Sequence, residues 1–281
     1  MTRFPFRQVD VFATGPLKGN PLAVVVGADS LSDAQMAAFA NWTNLSETTF
    51  LLRPRSPEAD YRVRIFTPEQ ELPFAGHPTL GSCHVWLATG GVPRGEEIIQ
   101  DCGAGLVRIR RDGDSLAFAA PPLVRSGPVE PELLGRIARA LGIAPDAIVA
   151  SNWVQNGPPW VAVLLRSRAE ALALKPDPTI LGKFDLGVVA PWEREDGEGA
   201  DFEVRAFIFM SNGTVKEDPV TGSLNAGIAQ WLIGSGRAPD SYVASQGTAL
   251  GRAGRVEVCR TGADIWIGGT VMPCIEGSAT F

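Results

Sequence analysis

The sequence contains few of the residues and motifs on which many enzymes depend. Its two histidines and four cysteines among 281 residues have neither zinc-site spacing nor a disulfide framework. No strand is followed by Gly-x-Gly-x-x-Gly, and no Walker sequence is present, so a nucleotide cofactor is not indicated. Gly-x-Ser-x-Gly is also absent, which weakens a hydrolase interpretation. We therefore expect no cofactor and no metal.

Long apolar runs and a basic charge balance are missing as well. No apolar run is long enough to cross a bilayer, and the net charge of −6 argues against a nucleic-acid surface. The N-terminal residues lead into a strand without a signal-peptide core, so the expectation is a cytoplasmic protein with no membrane partner and no nucleic-acid partner. The negative net charge does not exclude a small anionic substrate, because the positive end of a helix dipole attracts an anion locally.

Two helices with similar opening turns are the most informative feature that is present. The segments PFAGHPTLG (73–81) and DPVTGSL (218–224) each precede a run of small and apolar residues. Pro78 suits a first helical position and Asp218 is a natural helix cap, which predicts helices over 78–88 and 219–233. The first N–H groups of a helix have no intrahelical partner. The sequence thus predicts two anion-binding helix starts.

The similarity of the two halves extends beyond these turns. Pro21–Val26 matches Pro159–Leu164 at an offset of 138, and Tyr61–Phe66 matches Phe202–Phe207 at 141. His77 matches Thr221 at 144, so the offsets rise in order. Three ordered matches make chance the weaker account and predict a duplicated α/β unit. The boundary falls at Pro121-Pro122, giving domains 1–121 and 122–281, with about 270–281 able to return to the first.

The two helices are apolar on nearly every side, which is typical of buried central helices. We expect each one to be wrapped by the sheet of its own half. In the pseudo-symmetric arrangement, both N-termini point into the cleft between the halves. This arrangement would place four side chains in one pocket: His77, Thr79, Asp218 and Ser223.

Glu47 is the candidate acid or base. By period-two alternation it shares a strand face with Leu45, Thr49 and Leu51, so a carboxylate occupies an apolar row. A desolvated carboxylate is suited to proton transfer at a carbon. The alternative is an exposed glutamate at a strand entrance with no role in chemistry.

Taken together, these segments resemble the phenazine-biosynthesis isomerase-like (PhzF-like) family. The resemblance covers about residues 8–258 and is carried by DVF at 10–12, GNP at 19–21, NLSET at 44–48, GHPT at 76–79, DPVTGS at 218–223, QG at 246–247 and GR at 251–252. It implies an α+β protein of two pseudo-symmetric domains with the diaminopimelate-epimerase-like fold, each a rolled sheet around a central helix. It also implies a homodimer. At Ala253-Gly254 the family more often has a Pro-Ser-like pair, which leaves the function of this loop open.

The resemblance further implies site residues. Glu47 takes the place of the family's acid/base, and we assign Asp218 with it as catalytic. The expected substrate-binding residues are Asn20, Ser46, Gly76, His77, Pro78, Thr79, Thr221, Gly222 and Ser223.

Racemases of this fold use two thiols at the central helix starts. The matching positions here are Ala75 and Pro219, which cannot transfer a proton, so a two-thiol mechanism is disfavoured. Cys102-Gly103-Ala104-Gly105 copies the thiol motif but precedes a strand, and we expect a hairpin turn there. Cys83 is expected to pack in the core.

The function that these observations predict is a cofactor-independent isomerase that moves a proton within a small carboxylate-bearing molecule. The nearest specific activity is that of trans-2,3-dihydro-3-hydroxyanthranilate isomerase. Two alternatives stay open: an amino-acid epimerase or racemase, and a non-catalytic metabolite-binding homodimer.

Overall fold

The computed structural model describes residues 1–181, 184–193, 195, 199–210 and 212–281. The chain forms two compact units. Unit 1 consists of Met1–Ala119 and Gly268–Phe281, and unit 2 of Ala120–Ile267. The last residues thus belong with the first. Within the described ranges, no helix is both long and apolar enough to span a bilayer.

Unit 1 is built mainly from strands, with two helices. Its helices are α1 (Asp33–Thr43) and α2 (Gly76–Ala88). Its strands are β1 (Arg3–Val11), β2 (Asn20–Val25), β3 (Thr48–Leu52), β4 (Tyr61–Phe66), β5 (Glu71–Leu72), β6 (Ile98–Cys102), β7 (Gly105–Asp112), β8 (Ser115–Ala119) and the greater part of β17 (Asp264–Thr280).

The sheet of unit 1 closes on itself. β1 pairs antiparallel with β2, β2 parallel with β3, and β3 antiparallel with β4. β4 continues parallel to β6, and β6, β7 and β8 form an antiparallel meander. β17 pairs with both β8 and β1 and so joins the two ends of the sheet.

Helix α2 fills the interior of this closed sheet, where it packs against β1, β2, β3, β4 and β8. Nearly all of its residues from Gly76 to Val85 are buried, as its continuous apolar composition predicts. The packing is close at Gly81, because a Cβ there would lie 2.5 Å from Cδ2 of Leu22.

Unit 2 contains the remaining elements. Its helices are α3 (Pro131–Leu141), α4 (Arg168–Ala173), α5 (Pro178–Leu181) and α6 (Gly222–Gly234), with 3₁₀ turns at Pro145–Ala147 and Thr248–Leu250. Its strands are β9 (Arg125–Gly127), β10 (Ala150–Gln155), β11 (Trp160–Leu164), β12 (Asp185–Pro191), β13 (Phe202–Phe209), β14 (Val215–Asp218), β15 (Ser241–Gln246) and β16 (Gly254–Thr261).

The sheet of unit 2 repeats the pairing pattern of unit 1. β10 and β11 are antiparallel, β11 and β12 parallel, and β12 and β13 antiparallel. β13 then pairs parallel with β15, which pairs antiparallel with β16. Helix α6 packs against β10, β11 and β16. Here glycine is required at 227, where a Cβ would lie 2.5 Å from the carbonyl oxygen of Val154. The structure therefore confirms the predicted fold class.

The predicted helix starts were wrong by two or three residues. Pro78 is the third residue of α2, not the first, and the cap position is Ala75. Asp218 ends β14 and is not the cap of α6; that position is held by Thr221. Asp218 looked like a cap because it precedes Pro219, but the backbone stays extended through Thr221 (φ −113°, ψ 101°) before the helix begins.

The true helix starts also correct the register of the repeat. Both central helices have 13 residues and begin with glycine, and Gly76 to Gly222 is an offset of 146. The close-packed pair Gly81 and Gly227 has the same offset. His77 thus corresponds to Ser223, not to Thr221, and Ala75 corresponds to Thr221, not to Pro219.

The predicted strand match carries a shared ion pair. Arg64 on β4 donates from Nε and Nη2 to the two carboxylate oxygens of Glu71, at 2.7 and 2.6 Å. In the other unit, Arg205 on β13 binds Glu217 in the same way, at 2.9 and 2.7 Å. Bidentate geometry fixes the orientation of both side chains. Each arginine thereby fastens a hairpin in its own unit.

Candidate active site

Glu47 lies beside His77 in unit 1. Oε2 of Glu47 is 3.4 Å from Nε2 of His77, and the side chains are 16% and 4% exposed. Glu47 immediately precedes β3, and His77 is the second residue of α2. The pair combines a carboxylate and an imidazole in a mostly desolvated position, which is a common basis for proton transfer.

Local hydrogen bonds hold the loop that carries Glu47. The hydroxyls of Thr43, at the end of α1, and Thr48, at the start of β3, are 2.9 Å apart and so close the loop between them. Asn44 ends α1 in the left-handed conformation with φ 56°. Ser82 of α2 donates to Oγ1 of Thr49 at 2.9 Å, which fastens β3 to the helix that carries His77. Ser46, within this loop, is partly buried.

Asn20 contacts the other nitrogen of His77. Its Nδ2 lies 3.4 Å from Nδ1 of the imidazole, and the asparagine is fully buried. In this orientation of the amide, its nitrogen donates to Nδ1, which leaves the proton of a neutral ring on Nε2. Nε2 is the ring nitrogen that lies 3.4 Å from Oε2 of Glu47.

Asp10 fixes the loop that presents Asn20. Its Oδ2 accepts the N–H groups of Lys18 and Gly19 at 2.8 and 2.9 Å, and the side chain is buried. A Cβ on residue 19 would lie 2.1 Å from the carbonyl oxygen of Val11, so only glycine fits there. No function for Asp10 was predicted, although an aspartate between the apolar residues Val9 and Val11 was an available signal.

Side-chain hydrogen bonds hold the first turn of α2 in place. Thr79 donates its hydroxyl proton to the carbonyl of Ala75 at 2.9 Å and accepts Nε2 of Gln100 at 3.0 Å. Gln100 in turn accepts the hydroxyl of Tyr61 at 3.0 Å. The Thr79 hydroxyl is thus committed to the helix start. Ala75 offers no side-chain cap, so the N–H groups of Gly76 and His77 begin the helix without one, and Pro78 has no N–H.

Asp218 and Thr221 are neighbours in unit 2. Oγ1 of Thr221 donates to Oδ2 of Asp218 at 2.6 Å, and both residues are buried. Gln246 bonds to Thr221, to the Asp218 carbonyl and to Asn225 at the start of α6. Sequence reasoning missed Gln246 and Asn225, although Gln246 belongs to a segment that carried the family resemblance.

Ser223 and Gly222 begin α6. The Ser223 hydroxyl accepts Nε1 of Trp160 at 3.2 Å, and its carbonyl accepts Nδ2 of Asn156 at 2.8 Å. The buried indole thus orients the Ser223 side chain. Unit 1 therefore holds Asn20, Ser46, Glu47 and Gly76–Thr79 of the predicted set, and unit 2 holds Asp218 and Thr221–Ser223.

The two buried cysteines lie behind the start of α2, where the Cys83 thiol interacts with Tyr61 and the Cys102 thiol with Gln100. Cys83 is fully buried, and burial raises the pKa of its thiol to about 12. Cys102 ends β6 and pairs with Gly105 of β7, which confirms the predicted hairpin turn. The described part of the chain contains no group of three histidine, cysteine or acidic side chains that could hold a metal ion.

A rolled sheet around a buried helix, present in both units, is the diaminopimelate-epimerase-like fold of an α+β protein. Relatives of this chain at about 35% identity are named isomerases, so the protein is an isomerase of this fold. The chain belongs to the PhzC-PhzF family of phenazine biosynthesis-like proteins, whose model matches residues 9–276.

Individual relatives agree with this assignment. The chain is 36% identical over 233 residues to trans-2,3-dihydro-3-hydroxyanthranilate isomerase of Pseudomonas chlororaphis, covering 82% of this chain and 80% of the relative. It is 35% identical over 301 residues to antisense-enhancing sequence 1 of Schizosaccharomyces pombe, covering 99% of each. A crystal structure of a PhzF-family phenazine biosynthesis protein from Enterococcus faecalis superposes with a TM-score of 0.80 at 25% identity, over the full length of both chains.

Proposed function

We propose that this isomerase moves a proton within a small carboxylate-bearing substrate without a cofactor, and that Glu47 is its general acid/base. The contact between Glu47 and His77 is the observation that carries the proposal. The specific activity that we assign is the trans-2,3-dihydro-3-hydroxyanthranilate isomerisation for which the Pseudomonas relative is named. We also propose a homodimer, which the family resemblance implies, and a cytoplasmic location.

The proposed reaction begins and ends at Glu47. The carboxylate removes a proton from a carbon next to an unsaturated or carbonyl group, and the electron pair of the broken C–H bond moves into that system. Glu47 then returns a proton to another carbon, so the product has the same composition as the substrate. The Nε2 proton of His77, fixed by Asn20, orients the Glu47 carboxylate or the substrate.

The helix starts are assigned to the negative charge of the substrate. First-turn N–H groups and the positive end of the helix dipole favour a carboxylate and the charge that develops during proton transfer. In unit 1 these groups belong to Gly76 and His77, with Thr79 in the same helix turn and Ser46 next to Glu47 in sequence. In unit 2 they belong to Gly222 and Ser223, and Asp218 and Thr221 complete the set.

The decisive test is the change Glu47→Gln. The amide keeps the shape of the carboxylate but cannot accept a proton, so turnover of trans-2,3-dihydro-3-hydroxyanthranilate should fall by roughly 10²–10⁴-fold while ligand binding persists. Glu58→Gln, at an exposed glutamate of the same unit, is the matched control and should retain full turnover. Ultraviolet absorbance and NMR follow the conversion of the substrate, and sedimentation measures whether the protein is a dimer.

Other outcomes would favour the alternatives. An inert dihydro-hydroxyanthranilate, together with loss of optical activity and uptake of solvent deuterium at the α-carbon of an amino acid, would identify an epimerase. Binding without any proton exchange would identify a metabolite-binding protein. Unchanged turnover in Glu47→Gln would remove Glu47 from the mechanism.

A further inference from the structure

The amide of Gln246 has only one orientation that fits its surroundings. Its Oε1 faces two donors, the N–H of Thr221 at 3.0 Å and Nδ2 of Asn225 at 2.8 Å. Its Nε2 faces two oxygens, the carbonyl of Asp218 at 3.1 Å and Oγ1 of Thr221 at 3.0 Å. If the amide were flipped, its nitrogen would face two donors and its oxygen would face two oxygens, and these hydrogen bonds could not form. Gln246 is fully buried, so water cannot replace these partners.

This orientation determines where the hydroxyl proton of Thr221 points. Oγ1 of Thr221 already accepts from Gln246, and its single proton is therefore available to its other neighbour. That neighbour is Oδ2 of Asp218 at 2.6 Å, the short distance typical of a hydroxyl that donates to a carboxylate. The bonds form a directed series of donors from Gln246 through Thr221 to Asp218.

Comparison with the matching residues of unit 1 distinguishes the series Gln246–Thr221–Asp218 from hydrogen bonds that only hold a helix start. Gln100 stands 146 positions before Gln246, the offset of the central helices, and it also bonds to the fourth residue of its helix, Thr79. Thr79 and Asn225 each bond back to the carbonyl of the cap residue, at 2.9 Å in both cases. Both glutamines thus fasten a helix start. Of these two series, the one in unit 2 ends on a carboxylate, because the counterparts of Thr221 and Asp218 in unit 1 are Ala75 and Leu72, which have neither a hydroxyl nor a carboxyl group.

We propose that Gln246 is a positioning residue for Asp218, acting by holding the Thr221 hydroxyl as a permanent donor to the carboxylate. The inference rests on the proposed function to the extent that Asp218 is assigned to the reaction. The bond fixes the rotamer of the aspartate and makes its Oδ2 an acceptor from Thr221. An apolar side chain at position 246 would let the hydroxyl turn toward other acceptors.

A double-mutant cycle tests whether Gln246 acts through Thr221. Gln246→Met should lower kcat on trans-2,3-dihydro-3-hydroxyanthranilate about tenfold with little change in KM, and Thr221→Val should do the same. In the Thr221→Val background, Gln246→Met should cost less than about twofold more, because the donor it would misdirect is already gone. Thr221→Ser, which keeps the hydroxyl, should restore turnover.

A second measurement does not depend on the substrate. The ¹³C signal of the Asp218 side-chain carboxyl, assigned by its loss in Asp218→Asn, should move at pH 7 in both single variants and no further in the double variant. Gln100→Met is the matched control: it also loosens a helix start, but it should leave this signal in place and combine multiplicatively with Thr221→Val. Gln246→Glu, which keeps the size of the side chain, serves if Gln246→Met does not fold. Its second oxygen should draw the Thr221 proton away and move the signal as Thr221→Val does.

The results separate the two proposals. Multiplicative effects of Gln246→Met and Thr221→Val, or an Asp218 signal that stays unchanged in the Gln246 variants, would overturn the inference. Full activity of Asp218→Asn would instead remove Asp218 from the proposed reaction, and the carboxyl signal would still decide whether Gln246 positions it.

Discussion

At the scale of the residue, the tautomer of His77 is the property that the candidate site controls most directly. Asn20 offers Nδ1 a donor, and the proton of the neutral ring is thereby kept on the side of Glu47. Asp10 contributes indirectly, because it holds the N–H groups of the loop that ends at Asn20. One buried aspartate and one buried amide thus decide which nitrogen carries the proton.

Asn20→Asp should reverse this preference. The new carboxylate accepts at the position where the amide donated, so Nδ1 becomes the protonated nitrogen, with Nε2 either bare or part of a cationic ring. We expect kcat to fall at least about tenfold, which corresponds to ~1.4 kcal/mol of transition-state stabilisation. The ¹⁵N shifts of the imidazole report the tautomer directly.

The matched control is Asn41→Asp, at an exposed asparagine of α1 that donates to the Pro68 carbonyl. It adds the same charge to the same unit, and it should leave both the ¹⁵N pattern and kcat as they are. An Asn20→Asp protein with the ¹⁵N pattern of the parent would show that Asn20 does not set the tautomer.

At the scale of the element, the central helices depend on glycine at the points of closest approach. Gly81→Ala would push a methyl group against the flexible side chain of Leu22, whereas Gly227→Ala would push it against the backbone carbonyl of Val154. Backbone cannot move aside as a side chain can. We therefore expect both changes to lower the free energy of unfolding, by about 1–3 kcal/mol as for other overpacked cores, and Gly227→Ala to cost more.

Gly135→Ala provides the control for this prediction. Gly135 lies within α3, and no atom stands within 4 Å of the Cβ that would be added. Since alanine favours helix over glycine, this variant should gain roughly 0.5–1 kcal/mol. Urea denaturation measures all three. Equal effects at 81, 135 and 227 would mean that helix propensity, not packing, governs these positions.

Element by element, the sequence predicted what local chemistry determines. The limits of α3 follow from local signals, because Pro131 opens the helix and Gly142 ends it in the left-handed conformation with φ 68°. The start of α6 was misplaced because Asp218 has the chemistry of a cap, but its carboxylate accepts the hydroxyl of Thr221, and the helix begins four residues after Asp218. Such a choice between two hydrogen-bond partners is decided by tertiary packing.

The same distinction applies to the candidate site. Glu47 and His77 were named from the alternation pattern, a helix start and a family resemblance, but no spacing rule yields the distance between residues 30 positions apart. Gln246 was missed because a polar residue at a strand end has no distinctive local signal. Its counterpart Gln100 could be recognised only once the helix starts had given the offset of 146.

At the scale of the whole molecule, one carboxyl group links stability to pH. Asp185 begins β12 and accepts the N–H of Phe209 at 3.1 Å, but burial raises its pKa from 3.8 to about 6. The folded protein therefore keeps this proton up to about pH 6, whereas the unfolded chain releases it near pH 4. The stabilising contribution is fully present below about pH 4 and is lost as the pH rises through about 6.

Asp185→Asn should remove this dependence. The amide oxygen still accepts from Phe209, and no charge is buried at neutral pH, so the free energy of unfolding at pH 7 should rise by about 1–3 kcal/mol. The gain should vanish below pH 4. Urea denaturation at pH 4 and pH 7 measures the difference.

Asp177→Asn is the control of opposite sign. Hydrogen bonds from the hydroxyl and the backbone N–H of Thr179 lower the pKa of Asp177, so its ionised form belongs to the folded state. Its replacement should lower stability at pH 7. A gain at pH 7 from both variants would point to net surface charge as the cause instead.

The path of β17 affects the order in which the chain can fold during synthesis. This strand completes the sheet of unit 1 by pairing with β1. Residues 3–11 therefore cannot form these pairs, and the sheet cannot close, until residues 271–280 have been synthesised. The ribosome delivers all of unit 2 in the meantime, and unit 2 can begin folding while the N-terminal segment is still incomplete. The half that carries Glu47 and His77 is thus the first to be translated and the last to be finished. Until then its apolar strands depend on chaperones or on partial structure for protection from aggregation.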